Sequence, residues 1–122
     1  MDDEPGMPMV RLMNKIGFCA SAIGNHEMDA GQDCFRACLK ASRFPYLCAN
    51  AEPEPSLDLP MPPTAIFDIK GVKVGVLGLV HVNEMGHPDG LGDNYKGIVS
   101  MTLTRRPSAA CRSSRAAMSL WC

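Results

Sequence analysis

The sequence has little net charge, no long apolar run and no cysteine pattern typical of a metal site or a disulfide framework. A net charge of -1 argues against a nucleic-acid-binding face, which normally needs a basic stripe. No stretch reaches the roughly eighteen apolar residues of a membrane-spanning helix, and no charged segment followed by an apolar core opens the chain as in a signal peptide. The six cysteines show no familiar zinc or disulfide spacing. The 122 residues, 46% of them hydrophobic, are enough for one small domain.

The most informative segment is Gly24-Asn25-His26-Glu27-Met28-Asp29, which directly follows the apolar residues 20–23. Asn25 can offer a neutral oxygen to a metal ion, and His26 can donate or accept a proton near neutral pH. Asp29, three residues later, can fix the tautomer and the ring orientation of His26. Gly24 allows a sharp backbone turn. The alternative is a polar turn that contains a histidine by chance.

Three further segments give this motif its context. They are Met9-Val-Arg-Leu-Met-Asn-Lys-Ile-Gly-Phe18 before it, and Phe44-Pro-Tyr-Leu-Cys-Ala-Asn50 and Ile69-Lys-Gly-Val-Lys-Val-Gly-Val-Leu-Gly-Leu79 after it. Their order, from about residue 6 to about residue 98, resembles the 5'-nucleotidase group of the calcineurin-like metallophosphoesterases. One departure lies next to the motif, because Cys19 stands where that group usually has aspartate.

The resemblance implies roles for three residues. Asn25 becomes a ligand to one of two divalent metal ions (zinc, manganese, cobalt or similar), His26 the catalytic histidine, and Asp29 its partner in a dyad. It also implies a small-molecule substrate, a phosphomonoester of the nucleotide type, and an α/β fold that is a partial layer of an α/β-β-α sandwich. His81 and His87 do not lie where the group places metal ligands.

Several motifs of the resembled group are missing from this sequence. Asp-x-His and Gly-Asp do not occur before the Asn25 motif, where the group has them, and Gly-His-x-His does not occur after it. We therefore expect a fragment of a binuclear phosphoesterase that is inactive by itself and does not retain the two ions. Two alternatives stay open: a non-catalytic α/β remnant or interaction module, and a small metal-binding protein that uses Asn25, His26 and cysteines. Members of the group are often periplasmic or extracellular, and the sequence leaves localisation and oligomeric state open.

The chain divides by pattern into a loose lead over residues 1–8, a partial catalytic domain over 9–99 and a tail over 100–122. The tail departs from the resembled group, and Met101-Thr-Leu-Thr-Arg-Arg106 read one base earlier permits x-Asp-Pro-x-Glu-Thr, which the group often has there. Met118-Ser-Leu-Trp-Cys122 read the same way can give Asp-Val-x-Val-Val. We therefore expect a frameshifted, unstructured tail.

Within the domain, apolar periodicity and turn residues predict two helices and several short strands. Lys70-Gly71 is typical of a tight hairpin turn, and the apolar second strand of that hairpin predicts burial on both of its faces. The predicted elements are a helix over 9–15 that ends at Gly17, a strand over 18–23, a helix over 31–41, a strand over 46–49, a loop over 52–63, and strands over 64–69 and 72–79.

Overall fold

Helices and short strands alternate along the chain, in a computed structural model that describes residues 4–90 and 92–100. Within that part, no helix is long and apolar enough to cross a bilayer. The elements are α1 (Met7–Ile16), β1 (Ser21–Ala22), α2 (Gln32–Ala41), β2 (Tyr46–Leu47), β3 (Ala51–Pro53), a 3-10 turn (Pro55–Leu57), β4 (Thr64–Ile69), β5 (Val72–Leu77) and β6 (Ile98–Ser100).

Helix α1 begins two residues before its predicted start, because Pro8 suits the first turn of a helix, where no backbone N–H is needed. The predicted loose lead is therefore wrong for Met7 and Pro8, and residues 1–3 lie outside the described part. Gly17 ends the helix as predicted, with a φ of 89° and its N–H donating to the Met13 carbonyl. Val10 is buried, and Met13 packs against the core.

Strands β1 and β2 are parallel and α2 connects them, so that this part of the chain is a β-α-β unit. Ser21 pairs with Tyr46 and Ala22 with Leu47. Both strands are shorter than predicted: regular pairing begins at Ser21 rather than at residue 18, and β2 stops at Leu47 rather than at residue 49. Phe35 and Cys38 of α2 are buried.

The predicted loop over residues 52–63 is partly wrong. Residues Ala51–Pro53 form β3, which runs antiparallel to β6, and a 3-10 turn follows. A proline can end a strand of this kind because it lacks only a donor, and Pro53 is the last residue of β3. Leu59, within the predicted loop, is buried in the core.

Strands β4 and β5 form the predicted hairpin, with Thr64 opposite Leu77 and Ile69 opposite Val72. At the turn, Lys70 has a φ of 52° and Gly71 a φ of 83°, the left-handed pair of a type I′ turn. The Gly71 N–H donates to Asp68 Oδ1 at 2.9 Å.

Burial of β5 on both faces is not what the structure shows. Lys73 lies on the outer face of the hairpin, 3.3 Å from the Asp68 carboxylate, and these charged groups are hydrated rather than buried. On the same face, Ile66 is 64% and Leu77 45% exposed. The inner face, by contrast, turns apolar residues such as Phe67 and Val76 toward β1 and β2.

The core lies between the β-α-β unit, β3, β6 and the segment that follows β5. Its buried members are Ile23, Met28, Phe35, Phe44, Tyr46, Cys48, Ala51, Leu59, Val80 and Ile98. Ser100, which was predicted to open the unstructured tail, pairs with Ala51 in β6. The rest of the predicted tail, residues 101–122, lies outside the described part of the chain.

Candidate functional site

The motif of residues 24–29 forms a loop at the carboxyl end of β1, as the sequence predicts, and is called the His26 loop below. Two buried side chains hold it: Ile23, 2% exposed, precedes it, and Met28, 0% exposed, points into the core from within it. Between them the chain turns outward and presents Asn25, His26 and Glu27. Carboxyl ends of parallel strands are where open α/β sheets bind ligands.

The structure brings His26 and Asp29 together. His26 Nδ1 lies 2.8 Å from Asp29 Oδ2, and the side chains are 73% and 33% exposed. The turn produces this proximity, because the Asp29 N–H donates to the His26 carbonyl at 3.2 Å. With Nδ1 directed at the carboxylate, Nε2 is the ring nitrogen that can exchange a proton with a ligand.

Asn25 lies half-buried beside His26, at the start of the turn. Its amide oxygen suits a hard divalent cation. Among the described residues, however, no three side chains of the His, Cys, Asp or Glu type group together as a metal site. Asn25 is thus one possible ligand in a set that this part of the chain does not complete.

Glu27 folds back over the loop beside Gly24, which does not adopt unusual backbone angles. Gly24 is absent from the glycines with positive φ among the described residues. A Cβ at Gly24 would lie 2.6 Å from Glu27 Oε2. Although Glu27 as a residue is exposed, partial burial of its carboxylate raises its pKa, against the opposing effect of hydrogen bonds from the Gly24 and Glu27 backbone.

A groove of about 340 Å³ opens between the His26 loop and the two helices. His26, Glu27 and Asp29 line one side, and residues of α1, α2 and β2 line the other, among them Met13 and Tyr46. Burial, followed by the negative charge of Glu27, raises the pKa of Tyr46 to about 12. Tyr46 is therefore a neutral wall of this groove at physiological pH.

His81 and His87 lie in a separate turn. His81 Nδ1 is 3.5 Å from Asp89 Oδ2, and the two side chains are largely exposed. Asn83 Oδ1 accepts hydrogen bonds from the N–H groups of Met85 and His87, each at 3.0 Å, and so shapes this turn. Neither histidine joins His26 in a metal-binding group within the described residues.

The cysteines on α2 are consistent with packing. Cys38 is buried and Cys34 half-buried, and both are free thiols. Burial, and then the proximity of Cys34, raises the pKa of Cys38, so the thiol form is favoured. The hypothesis of a small metal site built from cysteines finds no such group in the described ranges.

Three polar residues that sequence reasoning missed support this region. Asn50, 8% exposed, donates from Nδ2 to the Val80 carbonyl at 2.8 Å and accepts the Val80 N–H at 2.9 Å. Tyr95 donates its hydroxyl to the Gly24 carbonyl at 2.9 Å, and Gln32 bonds the segment around Tyr95. No local pattern marks these residues, since their partners lie 30 to 71 positions away.

Comparison with known proteins identifies relatives for most of the chain. It is 37% identical over 90 residues to protein UshA of Yersinia enterocolitica, and the aligned region covers 72% of this chain and 16% of that protein. It is 31% identical over 93 residues to a 5'-nucleotidase of Vibrio vulnificus, covering 75% and 17%. The chain thus spans about a sixth of the length of these curated relatives. No protein-family model matches.

Solved structures agree with these relatives. The 5'-nucleotidase precursor of Thermus thermophilus matches with a TM-score of 0.68 and 26% identity, over 83% of this chain and 20% of that one. The calcineurin-like phosphoesterase YfkN of Bacillus subtilis matches with a TM-score of 0.50 and 30% identity, over 60% and 24%. The mixed helices and strands described above therefore form part of the calcineurin-like phosphoesterase fold.

Proposed function

The compared part of the chain falls within the 5'-nucleotidase group of the calcineurin-like metallophosphoesterases, and on this premise we propose that it belongs to an enzyme that hydrolyses nucleotide-type phosphomonoesters. The observation that carries the proposal is the 2.8 Å contact between His26 Nδ1 and Asp29 Oδ2, in a loop at the carboxyl end of a parallel strand. The substrate is then a small phosphoester rather than a nucleic acid polymer.

In this proposal His26 acts on the phosphoester directly. Asp29 holds the ring through Nδ1, which leaves Nε2 to deliver a proton to the leaving oxygen or to stabilise the phosphoryl group. Positioned acid–base groups of this kind typically contribute a factor of about a hundred to ten thousand. Asp29 keeps the imidazole in the tautomer that this role requires.

Divalent ions, of which zinc, manganese and cobalt are candidates, supply Lewis-acid chemistry in this family when bound. Asn25 offers one neutral oxygen for such an ion. The described residues do not fit a two-ion site by themselves, since no three of their acidic, histidine or cysteine side chains group together. Asn25 is therefore assigned as a single ligand, and the roles of His26 and Asp29 given above do not depend on the ions.

The test compares this chain with a chimera, called the complemented chain below. It is Yersinia enterocolitica UshA in which the 90 residues that match this chain are replaced by the corresponding residues of this chain. Hydrolysis of a nucleoside monophosphate is measured with manganese, zinc or cobalt. We expect no turnover above background from the 122-residue chain, because it offers too few ligands to hold two ions. The complemented chain should be active.

In the complemented chain, His26→Ala should lower kcat/KM by about a hundredfold or more. His87→Ala is the matched control, because it removes an exposed imidazole from the separate turn after β5 and should leave the rate unchanged. Robust metal-dependent turnover by the short chain would show that the ligands are misplaced. Equal effects of the two substitutions would favour the non-catalytic interaction module.

A further inference from the structure

A segment late in the chain, residues 92–97, folds back onto the His26 loop and is called the clamp below. The Tyr95 hydroxyl donates to the Gly24 carbonyl at 2.9 Å. Asn94 Nδ2 donates to the Asp29 carbonyl at 3.3 Å. The clamp thus bonds the first and the last residue of the loop, on either side of His26.

The clamp is itself held in place. Gln32, the first residue of α2, donates from Nε2 to the carbonyls of Asn94 at 3.0 Å and Lys96 at 2.8 Å. The Ile98 N–H donates to the Tyr95 carbonyl at 3.0 Å, and the Ile98 side chain is buried in the core. The hydroxyl of Tyr95 therefore extends from a backbone that is fixed by a helix and by the core.

The ring of Tyr95 rests against Gly90. A Cβ at Gly90 would lie 2.3 Å from two carbons of that ring, so the contact requires a residue without a side chain. Burial, and then the negative charge of Glu27, raises the pKa of Tyr95. The hydroxyl therefore keeps its proton, and remains a hydrogen-bond donor, across the physiological range.

We propose that Tyr95 is a positioning residue, which fixes the backbone of the His26 loop and thereby the place of His26 and Asn25. The effect on catalysis rests on the function proposed above, whereas the effect on the loop does not. Tyr95 acts through the Gly24 carbonyl and needs no contact with a substrate. Gln32 and Gly90 act on the same loop indirectly, because they hold Tyr95 in place.

The first test measures amide hydrogen exchange in the full 122-residue chain. Tyr95→Phe keeps the ring against Gly90 and removes only the hydroxyl. We expect the loop amides of Glu27 and Asp29 to exchange about fivefold faster or more, the size of one lost hydrogen bond. The amide of Gly17, which bonds Met13 at the end of α1, should be unaffected.

Tyr46→Phe is the matched control, because Tyr46 is the other tyrosine of the chain and packs between Phe35 and Phe44. It should change exchange in the loop by less than about twofold. Gln32→Ala, which loosens the clamp without touching the loop carbonyls, should accelerate the same loop amides as Tyr95→Phe. Equal effects of Tyr95→Phe and Tyr46→Phe on the loop would overturn the proposal.

A second measurement separates this proposal from the proposed function. In the complemented chain, Tyr95→Phe should lower kcat several-fold with little change in KM, since a misplaced His26 affects the chemical step more than binding. Faster loop exchange together with a His26→Ala variant of full activity would refute the function and leave the clamp in place. Unchanged loop exchange together with a hundredfold effect of His26→Ala would refute the clamp alone.

Discussion

Replacing Asn50 by alanine tests how much one buried side-chain amide contributes where the β-α-β unit meets the β4–β5 hairpin. Residues just beyond β2 and β5 meet there, and the Ala49 N–H donates to the Gly78 carbonyl at 2.7 Å. One residue beyond Ala49, the Asn50 side chain bonds both the N–H and the carbonyl of Val80, which lies two residues beyond Gly78. The side chain thus continues a backbone ladder that the two segments begin.

The magnitude follows from burial. Asn50 is 8% and Val80 4% exposed, so water does not replace the lost partners freely. Each buried polar group left without a partner costs about 1–3 kcal/mol, and the substitution leaves two, for a total of about 2–6 kcal/mol. Since tenfold corresponds to about 1.4 kcal/mol, the local opening equilibrium should increase at least about twenty-five-fold.

Native-state hydrogen exchange at the amides of Cys48 and Ala49 measures this effect, because these amides bond Pro62 and Gly78 across the same junction. Asn83→Ala is the matched control: Asn83 also bonds two backbone groups, but in an exposed turn. There, water replaces the lost partners, and we expect less than about 1 kcal/mol. If Asn50→Ala changed exchange no more than Asn83→Ala does, burial would not be the cause.

Two further predictions concern the tyrosines and the hairpin. Burial raises the pKa of Tyr46 to about 12, whereas tyrosine in an unfolded chain titrates near about 10, so the stability that Tyr46 contributes below about pH 10 should be lost as the pH rises toward about 12. Tyr46→Phe should reduce this loss when equilibrium unfolding is measured against pH, and an unchanged pH dependence would contradict the prediction. Ile66→Thr should reduce self-association of the chain, measured by sedimentation, because Ile66 is 64% exposed on a strand that has an unpaired edge among the described residues. Met85 is 82% exposed in a turn, and an equal effect of Met85→Thr would show that the sheet face is not responsible.

Local patterns predicted the elements whose causes are local. Gly17 ends α1 and Lys70-Gly71 turns the hairpin because both positions adopt left-handed backbone angles. His26 and Asp29 could be paired from sequence for the same reason, since they are three positions apart in one turn. In each case the determining residues lie within one turn of each other.

Non-local pairing accounts for what the sequence did not predict. The prolines between residues 52 and 63 predict a loop, yet its first two residues join Ala51 in the strand Ala51–Pro53 because β6, far along the chain, pairs with them. The apolar run of β5 suggested two buried faces, but Lys73 and Asp68, opposite each other in the hairpin, place charges on one of them. Asn50 and Tyr95 could not be recognised because their roles depend on partners distant in sequence.

The span between Gly24 and Tyr95 also sets an order of events during synthesis on the ribosome. The His26–Asp29 contact joins residues three apart and can form as soon as the loop emerges. The hydroxyl that anchors this loop arrives 71 residues later. A nascent chain therefore carries the paired imidazole and carboxylate on an unanchored backbone until the clamp is translated. The contact between His26 and Asp29 forms early, and the backbone that carries it is fixed late.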